Sequence, residues 1–472
     1  MRRGRWTPPT CARSRTGCAA ARRTSPSVPK PPRPPRRAGT PERPRGVSMI
    51  PSPTPRVLHL AQSDSEGGAN RAALRLHRAL LAAGMDSRFA AGRRRLDAPD
   101  IVAAGPSLRR TDLAAYANAA TVKPFRGRGG APGLITPAAL GYGRLGPDLL
   151  DAADVVCLHW IAGAFLAPRQ LRALRGKPLV WRLSDLWPFT GGCHYPGDCH
   201  GYERACGACP MLGSRWAWDI TRHGWRTRAR AYRALDITVA APSRWIAACA
   251  RASSLFRDRR IEVIPTGIDL SRYRPRDRRE ARAALGLPPD RDLILFGALA
   301  STDDPRKGCA ELMAALDRFA DRPEAASATL VVFGNRPGAP VPGGDRLPLI
   351  ALGHISDEDR LATLYAAADV LVAPFLEDNL PNVALEALAA GTPVAAFDIG
   401  GMPDIVDDGV CGRLVPARDA EALAGAIAWI LDAGRRGDAV RRAARAKAEQ
   451  RFDIAACAHQ YRALFSQVVQ TA

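Results

Sequence analysis

Short, nearly unbroken apolar runs recur along this chain, with longer amphipathic segments between them, and this alternation constrains the fold more than any other feature. The series opens with "RVLHLA", "DVVCLHW", "KPLVWRLSD" and "DITVAAPSRW"; after "IEVIPTGID" it resumes with "LILFGA", "ATLVVFGN", "PLIALG", "DVLVAPF" and "PVAAFD". Runs this short, without polar alternation, suit strands buried on both faces, and parallel strands with helices on each side meet that need. The segment "QSDSEGGANRAALRLHRALLAAG" shows the repeating unit: a Gly-Gly turn after the first strand, then a helix with Ala73, Leu76, Leu80 and Leu81 on one face, ended by Gly84. The expectation is an α/β protein of two doubly wound domains facing across a cleft, divided between about Ala240 and Pro275. Near the end, a helix from Asp419 turns Leu423, Ile427, Ile430 and Leu431 inward, and another carries Cys457, Tyr461, Leu464, Phe465 and Val468.

The 472 residues suffice for two cores, and 46% hydrophobic composition is that of a globular protein. The net charge of +22 is concentrated: residues 1–48 hold 13 Lys and Arg against the single acid Glu42, leaving +10 for the rest. That argues against a nucleic-acid protein. The extension, Arg- and Pro-rich and without apolar periodicity, is read as disordered, with Met49 as the favoured true start. It lacks the apolar run of a secretory signal, and nowhere is there an apolar stretch long enough to span a membrane. A cytoplasmic protein is expected, with peripheral contact at the inner face of a membrane as an option. The domains are placed at 49–240 and 241–440, followed by a helical segment at 441–472.

The stretch "FLEDNLPNVALEALAAGTPVAAFDIGG", residues 375–401, reads as loop, helix and strand. Pro381 suits the start of a helix that runs through Ala390 and stops at Gly391. Asp378 then lies before the helix and Glu386 in its second turn. A helix start offers free N–H groups and a positive dipole end to a phosphate, and a carboxylate further on can accept hydrogen bonds from a ribose. Nucleotide-sugar chemistry is one candidate.

In "CHYPGDCHGYERACGAC" the members Cys193, Cys199, Cys206 and Cys209 are separated by five, six and two residues. A structural zinc held by four thiolates is one reading, with His194 and His200 as alternate ligands; a disulfide pair and four independent thiols are the others. Cys157, Cys249, Cys309, Cys411 and Cys457 stand in apolar or small-residue contexts and read as buried small side chains.

These segments, with "PSRWIAACA", "IEVIPTGIDLSRYRP", "PRKG", "LGHISDEDRLATLYAAADVLVAPF" and "GGMPDIVDDGVCGRLV", resemble in order and spacing the GT4-type retaining glycosyltransferases of the GT-B fold. The likeness runs from Arg56 to the C-terminus. It implies that Lys307 grips the donor diphosphate. The Arg usual after the strand glycine is replaced by Ala298, and Arg306 is conjectured to supply the second cation. The family's paired glutamates, with seven residues between them, correspond to Glu386 on the ribose and, in place of the first, Asp378 near the sugar, with Glu377 out of register. Asn382 joins the donor-binding set at the helix start, where Pro381 removes an amide that commonly helps. Gly67 and Gly68 match the turn that approaches the phosphates. The acceptor-side segment "RLSDLWPFTGGCHY" has Ser184 where the family often has His and retains Asp185, read equally as the group that orients the acceptor hydroxyl and as a turn cap. Trp187 and Phe189 are candidates for stacking on a sugar or for the core. His159 reads as a core histidine.

The resemblance implies transfer of a sugar from a nucleotide diphosphate donor to a hydroxyl of a saccharide, with retention and without a catalytic cofactor. The "WPFTGGCHY" pattern with its cysteines is similar to transferases of exopolysaccharide or colanic acid-type assembly, which implies a lipid-linked acceptor. The alternatives are another GT-B enzyme, such as a nucleotide-sugar epimerase or a phosphorylase, and a non-catalytic nucleotide-sugar-binding module.

Overall fold

The computed structural model of the protein describes residues 54–127, 129–131, 133–137, 139–297, 304–334 and 346–471. The Arg- and Pro-rich extension and Ala298 lie outside the described residues. Two wholly parallel sheets organise the described chain. The first is built from β1 (Val57–Ser63), β2 (Ser87–Arg93), β3 (Ile101–Ala103), β4 (Val155–Leu158), β5 (Leu179–Arg182), β6 (Ile237–Ala241) and β7 (Ile261–Val263), in the order β3-β2-β1-β4-β5-β6-β7. The second holds β8 (Asp292–Gly297), β9 (Ala328–Phe333), β10 (Leu349–Gly353), β11 (Val370–Ala373), β12 (Val394–Phe397) and β13 (Gly412–Val415), ordered β10-β9-β8-β11-β12-β13. Each of the nine quoted apolar runs overlaps one of these strands. In both sheets the order reverses once, between β1 and β4 and between β8 and β11, and the crevice outside the strand ends at such a reversal is where doubly wound folds bind ligands.

The central strands are fully buried because helices cover both faces. Leu58, Val156 and Leu179 pack on one side of the first sheet, and Val57, Val155 and Val180 on the other. Register agrees, with Val57 opposite Val155 and Val156 opposite Leu179. Of the face assigned to the helix Gly67–Ala82, Ala73, Leu76 and Leu80 are buried while Leu81 is exposed, since it lies about 100° around the helix from Leu80. The two glycines begin that helix instead of forming a turn before it, with Gly67 at φ +78°. The first sheet continues through Ile261–Val263, past residue 240, because the partly exposed three-residue β7 adds to its edge beside β6. The C-terminal helix Ile454–Gln470 returns to this first domain, where Tyr461, Leu464, Phe465 and Val468 pack against Val57, Leu76 and Val155.

Candidate active site in the interdomain cleft

Loops at the carboxyl ends of β1, β5, β8 and β11 converge on a cavity of about 330 Å³ whose lining includes Gly68, Asp185, Arg306, Lys307, Asp378 and Asn382. Six of the expected site residues, far apart in sequence, therefore share one wall-to-wall space. Gly308 and Gly400 set the loops. Gly308 has φ +70°, and a Cβ there would lie 1.7 Å from the Pro374 carbonyl oxygen; a Cβ on Gly400, at φ +52°, would lie 2.0 Å from that of Asp378. Only glycine permits these close approaches.

On the second domain's side, Lys307 Nζ donates to Asp378 Oδ2 at 2.8 Å and lies 4.5 Å from the centre of the Phe375 ring. Arg306 donates to Asp304 at 2.6 Å and stacks on Tyr195 at 4.3 Å, leaving Nη1 without a partner. Pro381 stands at the N-cap, one residue ahead of the helix Asn382–Ala389, and the helix ends at Ala390 with Gly391 at φ +79°. The Asn382 amide reaches across the cleft and donates to the Gly68 carbonyl at 3.0 Å; a Cβ on Gly68 would meet that amide at 2.9 Å. Glu377 faces the cysteine loop, where its carboxylate accepts from Gly197 N–H.

Glu386 is buried one turn further along. It accepts from the Tyr365 hydroxyl at 3.0 Å and lies 3.9 Å from Arg75 of the first domain's Gly67–Ala82 helix. Burial pushes its carboxyl up to about 6, against the opposing pull of Arg75 and the tyrosine. Arg71 and Arg75 also line a second cavity, of about 710 Å³, with Tyr273 and Glu358 on its other wall.

On the first domain's side Asp185 is fully engaged. Its Oδ2 accepts from Trp160 Nε1 at 2.8 Å and from His194 Nδ1 at 2.6 Å, and its Oδ1 accepts from Trp187 N–H at 2.9 Å. His194 Nε2 meets Thr136 Oγ1 at 2.8 Å, so both ring nitrogens are committed and His194 is not free to bind a metal. Trp187 and Phe189 are in the core, with Arg228 stacked on the Trp187 ring. His159 is buried as a core histidine, sharing a 2.8 Å hydrogen bond with His59.

The four cysteines of the loop are free thiols; Cys193, Cys206 and Cys209 are buried and Cys199 half-buried. Backbone N–H groups point at their sulfurs, from Gly191 to Cys206 at 3.0 Å and from Gly201 to Cys199 at 3.4 Å. Burial, and then the neighbouring cysteine sulfurs, raise the Cys193 thiol well above the ordinary range. Their sulfurs are not gathered as tightly as a bound ion would hold them. Among the described residues, the metal-capable group with ligand atoms within 4.8 Å of one another is His59, Cys157 and His159 in the core.

Similarity to known proteins decides what kind of cleft this is. Residues 290–433 match the family model for Glycosyl transferases group 1, and residues 66–272 match that for Glycosyltransferase Family 4. The chain belongs to the group 1 and family 4 glycosyltransferases. A D-inositol 3-phosphate glycosyltransferase of Mycobacterium avium (strain 104) is 39% identical over 184 residues, 37% of this chain and 41% of that protein. One from Catenulispora acidiphila, D-inositol 3-phosphate glycosyltransferase 2, is 37% identical over 189 residues, 38% of this chain and 44% of that protein. The chain thus spans less than half the length of these relatives. The fold of this glycosyltransferase is GT-B, shared with solved structures. Sucrose-phosphate synthase from Thermosynechococcus elongatus aligns at TM-score 0.61 and 23% identity, covering 88% of this chain and 100% of that one. Anabaena Alr3699/HepE, in complex with UDP-glucose, aligns at 0.58 and 18%, covering 89% and 100%.

Several site residues are not among those singled out from the sequence. Arg75 belongs to a basic stripe, Arg71, Arg75 and Arg78, whose helical spacing points at one face; it could have been found that way. Asn379, which binds the Leu183 and Ser184 carbonyls across the cleft, stands beside an expected residue. Arg182, buried at the end of β5, looks like any other arginine in a chain with 68 Lys and Arg.

Proposed function

We propose that this glycosyltransferase moves a sugar from a nucleoside diphosphate donor to a hydroxyl of a saccharide acceptor, with retention at the anomeric carbon. The observation that carries the reading is the single cavity in which Lys307, Arg306 and the start of the Asn382–Ala389 helix face Asp185 and Ser184. Cations and free amides on one wall suit a departing diphosphate, and a positioned acceptor on the other wall converts transfer to a near-unimolecular step. Asp378 sits where the donor sugar would lie, and Glu386 offers its carboxylate to the ribose, with the nucleoside directed toward the second cavity. The leaving phosphate takes the acceptor proton, so no protein nucleophile is required. That Alr3699/HepE is solved in complex with UDP-glucose supports the donor class.

The acceptor is proposed to be lipid-linked and part of a cell-surface polysaccharide. Around the helix Leu108–Ala120 and the cysteine loop, Leu113, Tyr116, Trp216 and Trp218 are exposed, amid Arg109, Arg110, Lys123 and Arg226. Exposed aromatics with a basic surround suit the headgroup level of an anionic bilayer. No helix among the described residues is long and apolar enough to cross a membrane.

The test is a panel of UDP-, GDP-, ADP- and dTDP-sugars, scored by thermal stabilisation and then by transfer and hydrolysis. A donor at one hundred times its Kd should stabilise by about 2.7 kcal/mol. Stabilisation with neither transfer nor hydrolysis favours the binding-module alternative; sugar isomerisation without acceptor dependence favours the epimerase.

A further inference from the structure

The charges lining the main cavity are paired, with one exception among the described residues. Lys307 is held by Asp378, Arg306 by Asp304, and Asp185 by His194 and Trp160. Arg182 has no carboxylate. It is the last residue of β5, 4% exposed, gives Nη2 to Thr266 Oγ1 at 2.7 Å, and leaves Nη1 buried without a hydrogen-bond partner. The ionisable groups it faces include the Tyr461 phenol, whose hydroxyl is within reach of the guanidinium, the Cys157 and Cys457 thiols and the His159 imidazole, none of them an anion at neutral pH. Ser184, two residues on, lines the same cavity with its hydroxyl also buried and unpartnered.

A buried guanidinium is costly until an anion meets it, and its planar fork matches an oxyanion bidentately. Thr266 already holds a hydroxyl on that fork, and Ser184 brings a second hydroxyl-bearing residue to the lining of the same cavity. Arg182 and Ser184 come from the first domain, next to Asp185, whereas the cations suited to the donor diphosphate come from the second. Resting on the transfer reading above, we propose that Arg182, Thr266 and Ser184 seat an oxyanion carried by the acceptor, so that the acceptor bears a phosphate or carboxylate near the hydroxyl that is glycosylated.

Inorganic phosphate is the probe, titrated by calorimetry into protein already saturated with whichever of UDP, GDP, ADP or dTDP stabilises it most. Phosphate should still bind. In Arg182→Met its apparent Kd should rise at least tenfold while that of the nucleoside diphosphate changes less than twofold, and Arg182→Lys, which keeps charge without the fork, should fall between. If Arg182→Met does not fold, Arg182→Lys and Ser184→Ala carry the comparison. Equal phosphate binding in all variants overturns the proposal. So does a loss of nucleoside diphosphate affinity in Arg182→Met as large as in Lys307→Ala, which would assign the arginine to the donor. Phosphate binding that depends on Arg182 in a protein that binds none of the four nucleotides would keep the anion seat and sink the transferase reading.

Discussion

Lys307 and Asp378 meet at 2.8 Å on the second domain's wall of the cleft, each from a loop that follows one of the two strands at the reversal point of the second sheet. The cation best placed for the donor diphosphate is therefore already neutralised before a donor arrives, and the diphosphate must compete with a carboxylate for it. Lys307→Ala should lower kcat/KM by about a hundredfold or more, roughly 3 kcal/mol of transition-state stabilisation, with the fold intact. Asp378→Asn removes the competitor and should tighten nucleoside diphosphate binding several-fold while slowing transfer. Asp378→Glu should reorder donor sugars more than it changes the rate. Calorimetry with the nucleotide and steady-state kinetics check all three, and unchanged constants in Lys307→Ala would sink the donor-site assignment.

Glu386 links function to stability. Burial raises it to about 6, above the ordinary 4.5 of an unfolded chain. The folded state thus binds this proton more tightly, so the contribution falls as pH rises from about 4.5 to about 6 and stays low beyond. The difference corresponds to about 2 kcal/mol. Glu386→Gln should therefore make the ligand-free protein more stable at pH 7 by up to about 2 kcal/mol and leave it unchanged at pH 4, as read by denaturant unfolding. Nucleotide binding should move the other way: the wild type should weaken below pH 6 as the ribose acceptor is protonated, and the Gln variant should bind more weakly at pH 7 and show no such slope.

The strands that the sequence shows are those whose side chains are apolar on both faces, such as Val155–Leu158 and Val370–Ala373. Ser87–Arg93 and Gly412–Val415 do not stand out because a sheet's outer strands tolerate arginine and glycine, and three-residue strands such as Ile261–Val263 are too short for a pattern. The return of Ile454–Gln470 to the first domain is long-range packing, invisible to periodicity, although its buried face was readable. In the site, motif residues were legible because loop chemistry concentrates them. Arg182 was not, since only burial distinguishes it from a solvated arginine.

Asp185 separates a positioning role from an anchoring one. Its oxygens hold Trp160, Trp187 N–H and His194 together, so Asp185→Asn should cost about 1–3 kcal/mol of stability through unpaired buried groups. His194→Asn disrupts the same network from the other end and should cost a similar amount. If Asp185 also orients the acceptor, transfer should fall at least tenfold further in Asp185→Asn than in His194→Asn, with nucleotide affinity equal in both. Parallel losses of transfer would leave Asp185 as an anchor.

We propose further that the cysteine loop holds a structural zinc. Three of the four thiols are buried, all are unoxidised, and amide N–H groups already point at Cys199 and Cys206 as they would at thiolates. Binding would draw the sulfurs closer than they now stand and clamp the segment that carries Tyr195 and Gly197 against the second domain. Four protein ligands would leave no open position, so the ion would not take part in transfer. Protein purified without a histidine tag should contain about one zinc per chain by elemental analysis, lost in the Cys206→Ser, Cys209→Ser double variant together with stability. Chelation should lower the melting temperature of the wild type and leave the double variant unaffected. Metal-free protein of full stability, with four titratable thiols in this loop, would rule the site out.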